Sequence, residues 1–379
     1  MTTKRCTERS APLAVSRAEP AAFTLRPTPQ GLTSCQSDER CAVPTTTEIS
    51  PVGDGQVTSD VLLLGAAGNS GRLIAAELAA RGLSVRLAGR QRGPLEELAR
   101  ALAANGAATD VRTVEISDAA SLAEAIVGVR VVLSTIGPFA RQAGPVIDAC
   151  LAANLPYVDI ANEWPAVRGL LDRDQQARAH AVTLVTGAGF GPAATETLVL
   201  RLVEQLGLVP DLVRVAAAAG VTRQSDGVRQ TIQASLSQGV AITYRNGQVV
   251  REALGRGATV VTFGGTQRQM VPGPVGDLET ARLASGAANV VAYIANPTAH
   301  HPGIDSYTWA EVVGPDGQTL TAELRAGEGV HATAAIAAET TQRVLAGVKP
   351  GAWTPGQLFG AALVTDATGA QVTVNRQPA

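Results

Sequence analysis

From Val61 onward, short apolar runs alternate with amphipathic stretches. The runs at 61–64, 84–88, 111–114, 131–133, 157–160 and 182–185 are rich in β-branched residues or leucine, as strands buried on both faces should be. Between them the spacing is helical. Leu95, Leu98, Ala99 and Leu102 fall at i, i+3, i+4 and i+7 after Pro94, and Asn105-Gly106 closes that segment. Pro145 and Pro165 mark the first turns of two further predicted helices. Six βα repeats of these lengths predict an α/β fold, a Rossmann doubly wound parallel sheet with right-handed crossovers.

The pattern changes after Gly191. A helix is predicted over 194–206, a strand over 213–217, and a helix carrying Val228, Ile232 and Leu236 at i, i+4 and i+8. Two hairpins follow, one turning at Asn246-Gly247 and one at Pro315-Asp316-Gly317. With strands at 259–263 and 290–294 they predict a mixed or antiparallel sheet with helices against one face. Residues 1–59 lack sustained periodicity and are rich in Thr, Pro, Ser, Arg and Glu, so they read as a disordered tail. The expected organisation is this tail, a Rossmann domain over 60–191, an α+β substrate domain over 192–345, and a segment over 346–379 returning to the first domain.

Composition narrows the function classes. A chain of 379 residues with 45% hydrophobic content can bury a full core, and a net charge of −2 leaves no basic excess for a nucleic-acid backbone or an acidic membrane surface. No apolar run reaches the roughly 18 residues of a spanning helix. Three of the four cysteines, Cys6, Cys35 and Cys41, precede the first strand, and none forms a C-x-x-C pair or a metal-ligand set with histidine. The expectation is a soluble, cytoplasmic protein without a metal, acting on a small molecule, with homodimer formation left open. Cys150 continues the apolar stripe of Ile147 and Leu151 and reads as a core thiol. Lys4 and Lys349 are the only lysines among 31 basic residues, which leaves lysine chemistry almost nowhere to sit.

Candidate chemistry begins at the first strand's end. Gly65, Ala67, Gly68, Asn69, Ser70 and Gly71 lie in a G-x-x-G-x-x-G loop that opens an alanine-rich helix. Glycine there permits a tight turn and close backbone approach to a pyrophosphate, whose charge meets the amides of the helix N-terminus. The second strand ends in Gly89-Arg90, where an NAD-binding domain carries an acid for the ribose hydroxyls. Arg90 instead suits a 2′-phosphate, so NADP(H) is the predicted cofactor. After the fourth strand, Thr135, Gly137, Pro138 and Phe139 are placed at the nicotinamide half, with Phe139 against the ring or the substrate. The exposed face of the second domain would cover that cofactor. Asp159 and Glu163, after the fifth strand, read equally as substrate-orienting or helix-capping acids.

The glycine loop 65–71, the strand end Ala88-Gly89-Arg90, the turn Thr135-Ile136-Gly137-Pro138-Phe139 and the run Tyr157-Val158-Asp159-Ile160 resemble the saccharopine dehydrogenase-like oxidoreductases, most of all the branch that includes the trans-acting enoyl reductases. The stretches Val271-Pro-Gly-Pro-Val-Gly-Asp277, Asn289-Val-Val-Ala-Tyr293 and Trp353-Thr-Pro-Gly-Gln-Leu-Phe-Gly360 fit as well. The resemblance implies a Rossmann domain, an inserted substrate domain and a returning C-terminal segment. Two features depart from it: the N-terminal tail, and Gly191-Pro192-Ala193-Ala194 where relatives more often carry an acid and a serine. Reduction of an enoyl C=C bond is the implied activity. Imine or carbonyl reduction and a non-catalytic NADP(H)-binding module are the alternatives.

The sequence assigns no catalytic acid. None of Tyr157, Tyr244, Tyr293 and Tyr307 has a lysine four residues later, against short-chain dehydrogenase chemistry. His331 is a candidate proton donor near a helix start, or a surface histidine. His300-His301 reads as a loop pair. Phe139, Phe190 and Tyr244 are expected to shape the pocket.

Overall fold

Residue by residue, the apolar runs become parallel strands because their side chains are wanted on both faces. The computed structural model describes residues 59–218, 220, 239–295 and 305–377. Ser59, the last residue of the predicted tail 1–59, begins the first strand; residues 1–58, the helix with Val228, Ile232 and Leu236, and His300-His301 lie outside the described residues. The first half runs β1 (Ser59–Leu64), α1 (Asn69–Ala80), β2 (Val85–Gly89), α2 (Arg92–Ala103), β3 (Thr109–Thr113), α3 (Ala119–Ile126), β4 (Val129–Ser134), α4 (Phe139–Ala152), β5 (Tyr157–Asp159), α5 (Trp164–Leu171), α6 (Asp174–Ala179), β6 (Thr183–Val185) and α7 (Phe190–Leu206). Leu62 and Leu64 face one apolar core, with Val132 and Ile147, while Val61 and Leu63 face the other, with Ile74 and Leu78. Each fully buried side chain of this size contributes about 1.5–3 kcal/mol.

Pro145 does not open α4 as the sequence predicts; it lies inside a helix that begins at Phe139. Its missing N–H leaves the carbonyl of Arg141 without a helical partner, and Arg141 is exposed, so water can serve that oxygen. Pro165 does sit in the first turn of α5.

The second half runs β7 (Leu212–Ala218), β8 (Val240–Arg245), β9 (Gln248–Ala253), β10 (Thr259–Phe263), β11 (Thr266–Pro272), α8 (Asp277–Ser285), β12 (Asn289–Ala295), β13 (Ser306–Val313), β14 (Thr319–Ala326), α9 (Gly329–Leu345), β15 (Gly351–Trp353), α10 (Pro355–Phe359), a 3-10 turn (Gly360–Ala362), α11 (Leu363–Thr368) and β16 (Gln371–Gln377). The first sheet has the order β15-β6-β5-β4-β1-β2-β3 with every pairing parallel. The strand order reverses between β1 and β4, the place where such sheets bind ligands. The second sheet runs β10-β11-β12-β7-β13-β14-β16, with β8 and β9 attached beside β12. It is mixed, since β12 and β7 are parallel and their neighbours antiparallel.

The C-terminal segment divides between the sheets. β15 joins β6 in the first, but β16 pairs with β14 in the second, so 346–379 does not simply return to the first domain. Alternation explains the choice: Val372 packs toward the second core while Thr373 and Asn375 lie on its open face. The helix-covered face of the second sheet, not its open one, turns to the first domain. α9 shows this, since Ala332 and Ile336 enter the second core while Ala334, Ala337 and Ala338 enter the first. The open face around Trp309 borders two clefts of about 340 and 360 Å³, lined by second-sheet and hairpin residues alone. Among the described residues, the face that meets the first domain is thus the helix-covered one, where the sequence reading expected the exposed one.

Candidate active site

The loop after β1 is built around three glycines with distinct duties. Gly65 adopts φ +79°, and a Cβ there would meet the Thr135 hydroxyl at 2.5 Å. Gly71 touches the loop from the helix side, where a Cβ would lie 2.2 Å from the Gly65 carbonyl oxygen. Gly68 is the N-cap of α1 and supplies no side-chain cap. The amides of Asn69, Ser70 and Gly71 have no hydrogen-bond acceptor among the described residues. First-turn amides left open in this way are able to hold an anion.

Thr135 is a brace. Its hydroxyl donates to the carbonyls of Leu64 at 2.9 Å and Gly65 at 3.2 Å, and its amide donates to Leu64 at 3.0 Å. It thereby ties the β4 loop to the glycine loop. Ala67 receives the Arg72 Nε at 3.0 Å, which fixes the loop from the helix.

Gly89 and Arg90 leave room and charge at the end of β2. A Cβ on Gly89 would approach nothing nearer than Leu95 at 3.7 Å, so the protein's own packing does not demand glycine there. Arg90 is exposed and makes no hydrogen bond or ion pair among the described residues, whereas Arg92 is engaged by Glu96 at 2.7 Å. The free guanidinium and the open space fit a 2′-phosphate on the adenosine ribose.

At the other end of the same sheet edge the buried acids sit. Asp159 is 1% exposed and accepts hydrogen bonds from Tyr157 Oη (3.1 Å), Thr186 Oγ1 (2.7 Å), the Ala161 amide (3.0 Å) and the Gly187 amide (3.2 Å). Burial raises its pKa to about 6. With its oxygens spent on the loops after β5 and β6, Asp159 holds the edge together. Glu163 gives no side-chain cap to α5; it accepts from the Phe139 amide at 3.0 Å and links the two loops.

Phe139 does not offer its ring to a cofactor. It is 7% exposed and belongs to the apolar core with Ala143, Val146 and Ile147, because those positions share one face of α4. Gly137 and Pro138, joined by a cis peptide bond, remain half-buried at the loop. Phe190 and Tyr244 are likewise core residues of the second domain. Tyr244 donates to Glu279 at 2.6 Å. Cys150 is buried, and burial pushes its thiol pKa up. His331 is exposed on α9, with Nδ1 3.3 Å from Glu328.

The segment Val271–Asp277 crosses to this edge. The Trp164 amide donates to Pro274 at 3.0 Å, and the Gly276 amide donates to Asn162 at 2.8 Å. Asp277 starts α8, is 3% exposed, and accepts from Thr195 Oγ1 at 3.1 Å. Burial raises its pKa to about 6. Sequence reasoning missed Thr195 and a further buried acid beside it on α7, Glu196. Glu196 accepts from the Thr354 hydroxyl and from the Gly356 amide at 2.8 Å, and burial raises its pKa to about 7. The local signal was weak, since Glu196 is flanked by Thr195 and Thr197 and reads as a solvated turn of the helix, whereas the fold buries it. Among the described residues no three His, Cys, Asp or Glu side chains converge as a metal site, and no helix is long and apolar enough to cross a membrane.

Comparison with known proteins agrees with this geometry. Residues 61–185 match the family model of the saccharopine dehydrogenase NADP binding domain, and NADP(H) is the cofactor of that domain. The trans-acting enoyl reductase of Mycobacterium tuberculosis is 31% identical over 146 residues, which is 38% of this chain and 35% of that protein. The Mycobacterium leprae protein of the same name is 31% identical over 147 residues. The chain thus spans about a third of the length of those relatives. The saccharopine dehydrogenase (L-Glu forming) from Saccharomyces cerevisiae superposes with a TM-score of 0.59 at 14% identity, covering 84% of this chain and 100% of that one, so the two share a fold.

Proposed function

We propose that this chain, whose residues 61–185 belong to the saccharopine dehydrogenase NADP binding domain family, is an NADPH-dependent reductase of a small organic substrate, and that the bond it reduces is an enoyl C=C bond. One observation carries the reading. A phosphate-accepting loop with a free Arg90 lies at one end of the sheet edge, and at the other end two domains bring Asn162, Gly191 and Asp277 together. Bound NADPH supplies a hydride to the substrate. The open amides of Asn69, Ser70 and Gly71 hold the pyrophosphate, and Arg90 holds the 2′-phosphate. The 272–276 segment closes the substrate end against the β5 loop.

Among the described residues Lys349 is the one lysine, and it lies over the Trp353 ring at 4.1 Å in the C-terminal segment. A conjugated enoyl group suits such a site because the electron pair displaced by hydride needs only hydrogen-bond donors at the carbonyl oxygen. The test uses NADPH deuterated at the transferred position and mass spectrometry of the product. Deuterium on a β-carbon supports the reading. Deuterium on a carbinol or amine carbon would replace it with carbonyl or imine reduction, and absence of turnover with every such acceptor would leave a binding module.

Arg90→Asp tests the cofactor end. The charge-assisted bonds of Arg90 to a 2′-phosphate are worth about 1.5–3 kcal/mol, so NADPH affinity should fall by about 10- to 150-fold. NADH affinity should stay nearly constant. Titration with both cofactors checks this, and equal losses would refute the role.

A further inference from the structure

Gly191 in the first turn of α7, Asn162 after β5 and Asp277 at the start of α8 meet around a space the size of a methyl group. A Cβ on Gly191 would lie 3.3 Å from Asp277 Oδ2, 3.4 Å from Asn162 Nδ2 and 3.5 Å from Asn162 Oδ1, so the Asn162 amide presents its edge to that space. Nothing in the backbone conformation of Gly191 calls for glycine, since its φ lies outside the left-handed range. Thr195 takes only Oδ1 of Asp277, and neither Oδ2 nor the Asn162 amide bonds to another described residue. Two polar groups therefore converge on one small space without using each other.

We propose that Asp277 and Asn162 are a pair of hydrogen-bond donors for the carbonyl oxygen of an α,β-unsaturated substrate, with Gly191 keeping open the space for that oxygen. The assignment rests on the enoyl reading above and names its substrate class: a conjugated thioester or ketone. Asp277 must be neutral to donate, and its burial, which raises its pKa to about 6, favours the neutral acid against the pull of its own backbone amide and of the Thr195 hydroxyl. The other ionisable groups on the elements packed around it are already engaged. Glu163 accepts from Phe139, Glu196 from Thr354 and Gly356, and Glu279 is paired with Arg168, Arg282 and Tyr244.

The chemistry balances with one hydride and one proton. A C–H bond forms at the β-carbon from the cofactor's hydride, the C=C pair becomes a bond between the α-carbon and the carbonyl carbon, and the carbonyl π pair moves onto oxygen. Asp277 gives its proton to that oxygen and Asn162 holds it. The resulting enol then gains a proton from water at the α-carbon and returns the oxygen-bound proton to the Asp277 carboxylate. Donors aimed at the oxygen where charge develops act without reorganisation.

The probe is the crotonyl thioester of N-acetylcysteamine, labelled with carbon-13 at the carbonyl, bound to the protein with NADP⁺ so that no turnover occurs. Its infrared carbonyl band should move to lower frequency, and Asp277→Ala and Asn162→Ala should each reverse part of that movement. Loss of one donor should reduce turnover with NADPH by about 10²- to 10³-fold while NADPH affinity is unchanged. Asp277→Asn, which keeps a donor but cannot titrate, should retain the band shift and lose the fall in activity above about pH 6. Gly191→Ala should block the probe and spare NADPH. Asn162 is exposed, so its variant carries the test should the Asp277 variants not fold. Reduction of the probe at its β-carbon with a band that neither substitution moves would overturn this assignment alone. Wild-type protein that reduces no enoyl probe would overturn the enoyl reading and the assignment with it.

Discussion

Replacing Gly71 by alanine is expected to abolish measurable NADPH binding and to destabilise the fold by about 3 kcal/mol or more. The added methyl would sit 2.2 Å from the Gly65 carbonyl oxygen and 2.8 Å from both Cα and O of Ala66. All three are backbone atoms of the loop, which no side-chain rotation can clear. Relief requires α1 to move off β1, yet Ile74, Ala75 and Leu78 of that helix are fully buried against Val61 and Leu63. Any such shift also misplaces the open amides at the start of α1. Gly89→Ala is the matched comparison: its Cβ meets only ordinary van der Waals contact, so stability should hold while the ribose end of the cofactor loses room. Urea unfolding and calorimetric titration of NADPH read both effects. A Gly71→Ala protein that binds NADPH as the parent does would show that the loop is not the pyrophosphate site.

The first sheet was legible because strands covered on both faces are apolar throughout, and each is punctuated by a turn or a proline. Its errors were local. Pro145 reads as a helix opener because prolines favour first turns, but α4 starts at Phe139, and that shift of a turn and a half carries the Phe139 ring from the expected cofactor face into the core. The second sheet was harder for a physical reason: one face is open. β11 (Thr-Gln-Arg-Gln-Met-Val-Pro) and β16 (Gln-Val-Thr-Val-Asn-Arg-Gln) are too polar to read as buried strands, and pairing with β10, β12 and β14 makes them strands. The glycine loop and Arg90 could be read locally because they lie within one βαβ unit. The meeting of Asn162, Gly191 and Asp277, like that of Glu196 with Thr354, depends on segments far apart in the chain, which no local spacing records.

Stability should fall as pH rises from about 4 to about 7, and Glu196 should account for much of the upper part of that fall. Burial raises the folded-state pKa of Asp159 and Asp277 to about 6 and that of Glu196 to about 7. In the unfolded chain such groups titrate near about 4. Between the two values the native state binds more protons than the unfolded state, so each pH step favours unfolding; above about 8 both states are ionised and the penalty is constant. Asp60, Asp174 and Glu339 are shifted the other way by their partners, so their contribution is lost as pH falls below the ordinary carboxylate range. The maximum should therefore lie on the acid side of neutrality. Glu196→Gln keeps one acceptor, for the Gly356 amide, and can donate its own amide to the Thr354 hydroxyl oxygen, but cannot ionise, so its stability relative to the parent should improve steadily from about pH 5 to about pH 8. Glu196→Ala removes the acceptor as well, leaving two buried donors and a cavity, and should cost about 2–5 kcal/mol at every pH. Denaturant unfolding across that range separates the cases. A Glu196→Gln protein with the parent's pH slope would mean that Glu196 stays ionised in the fold, held by its donors more strongly than burial disfavours its charge.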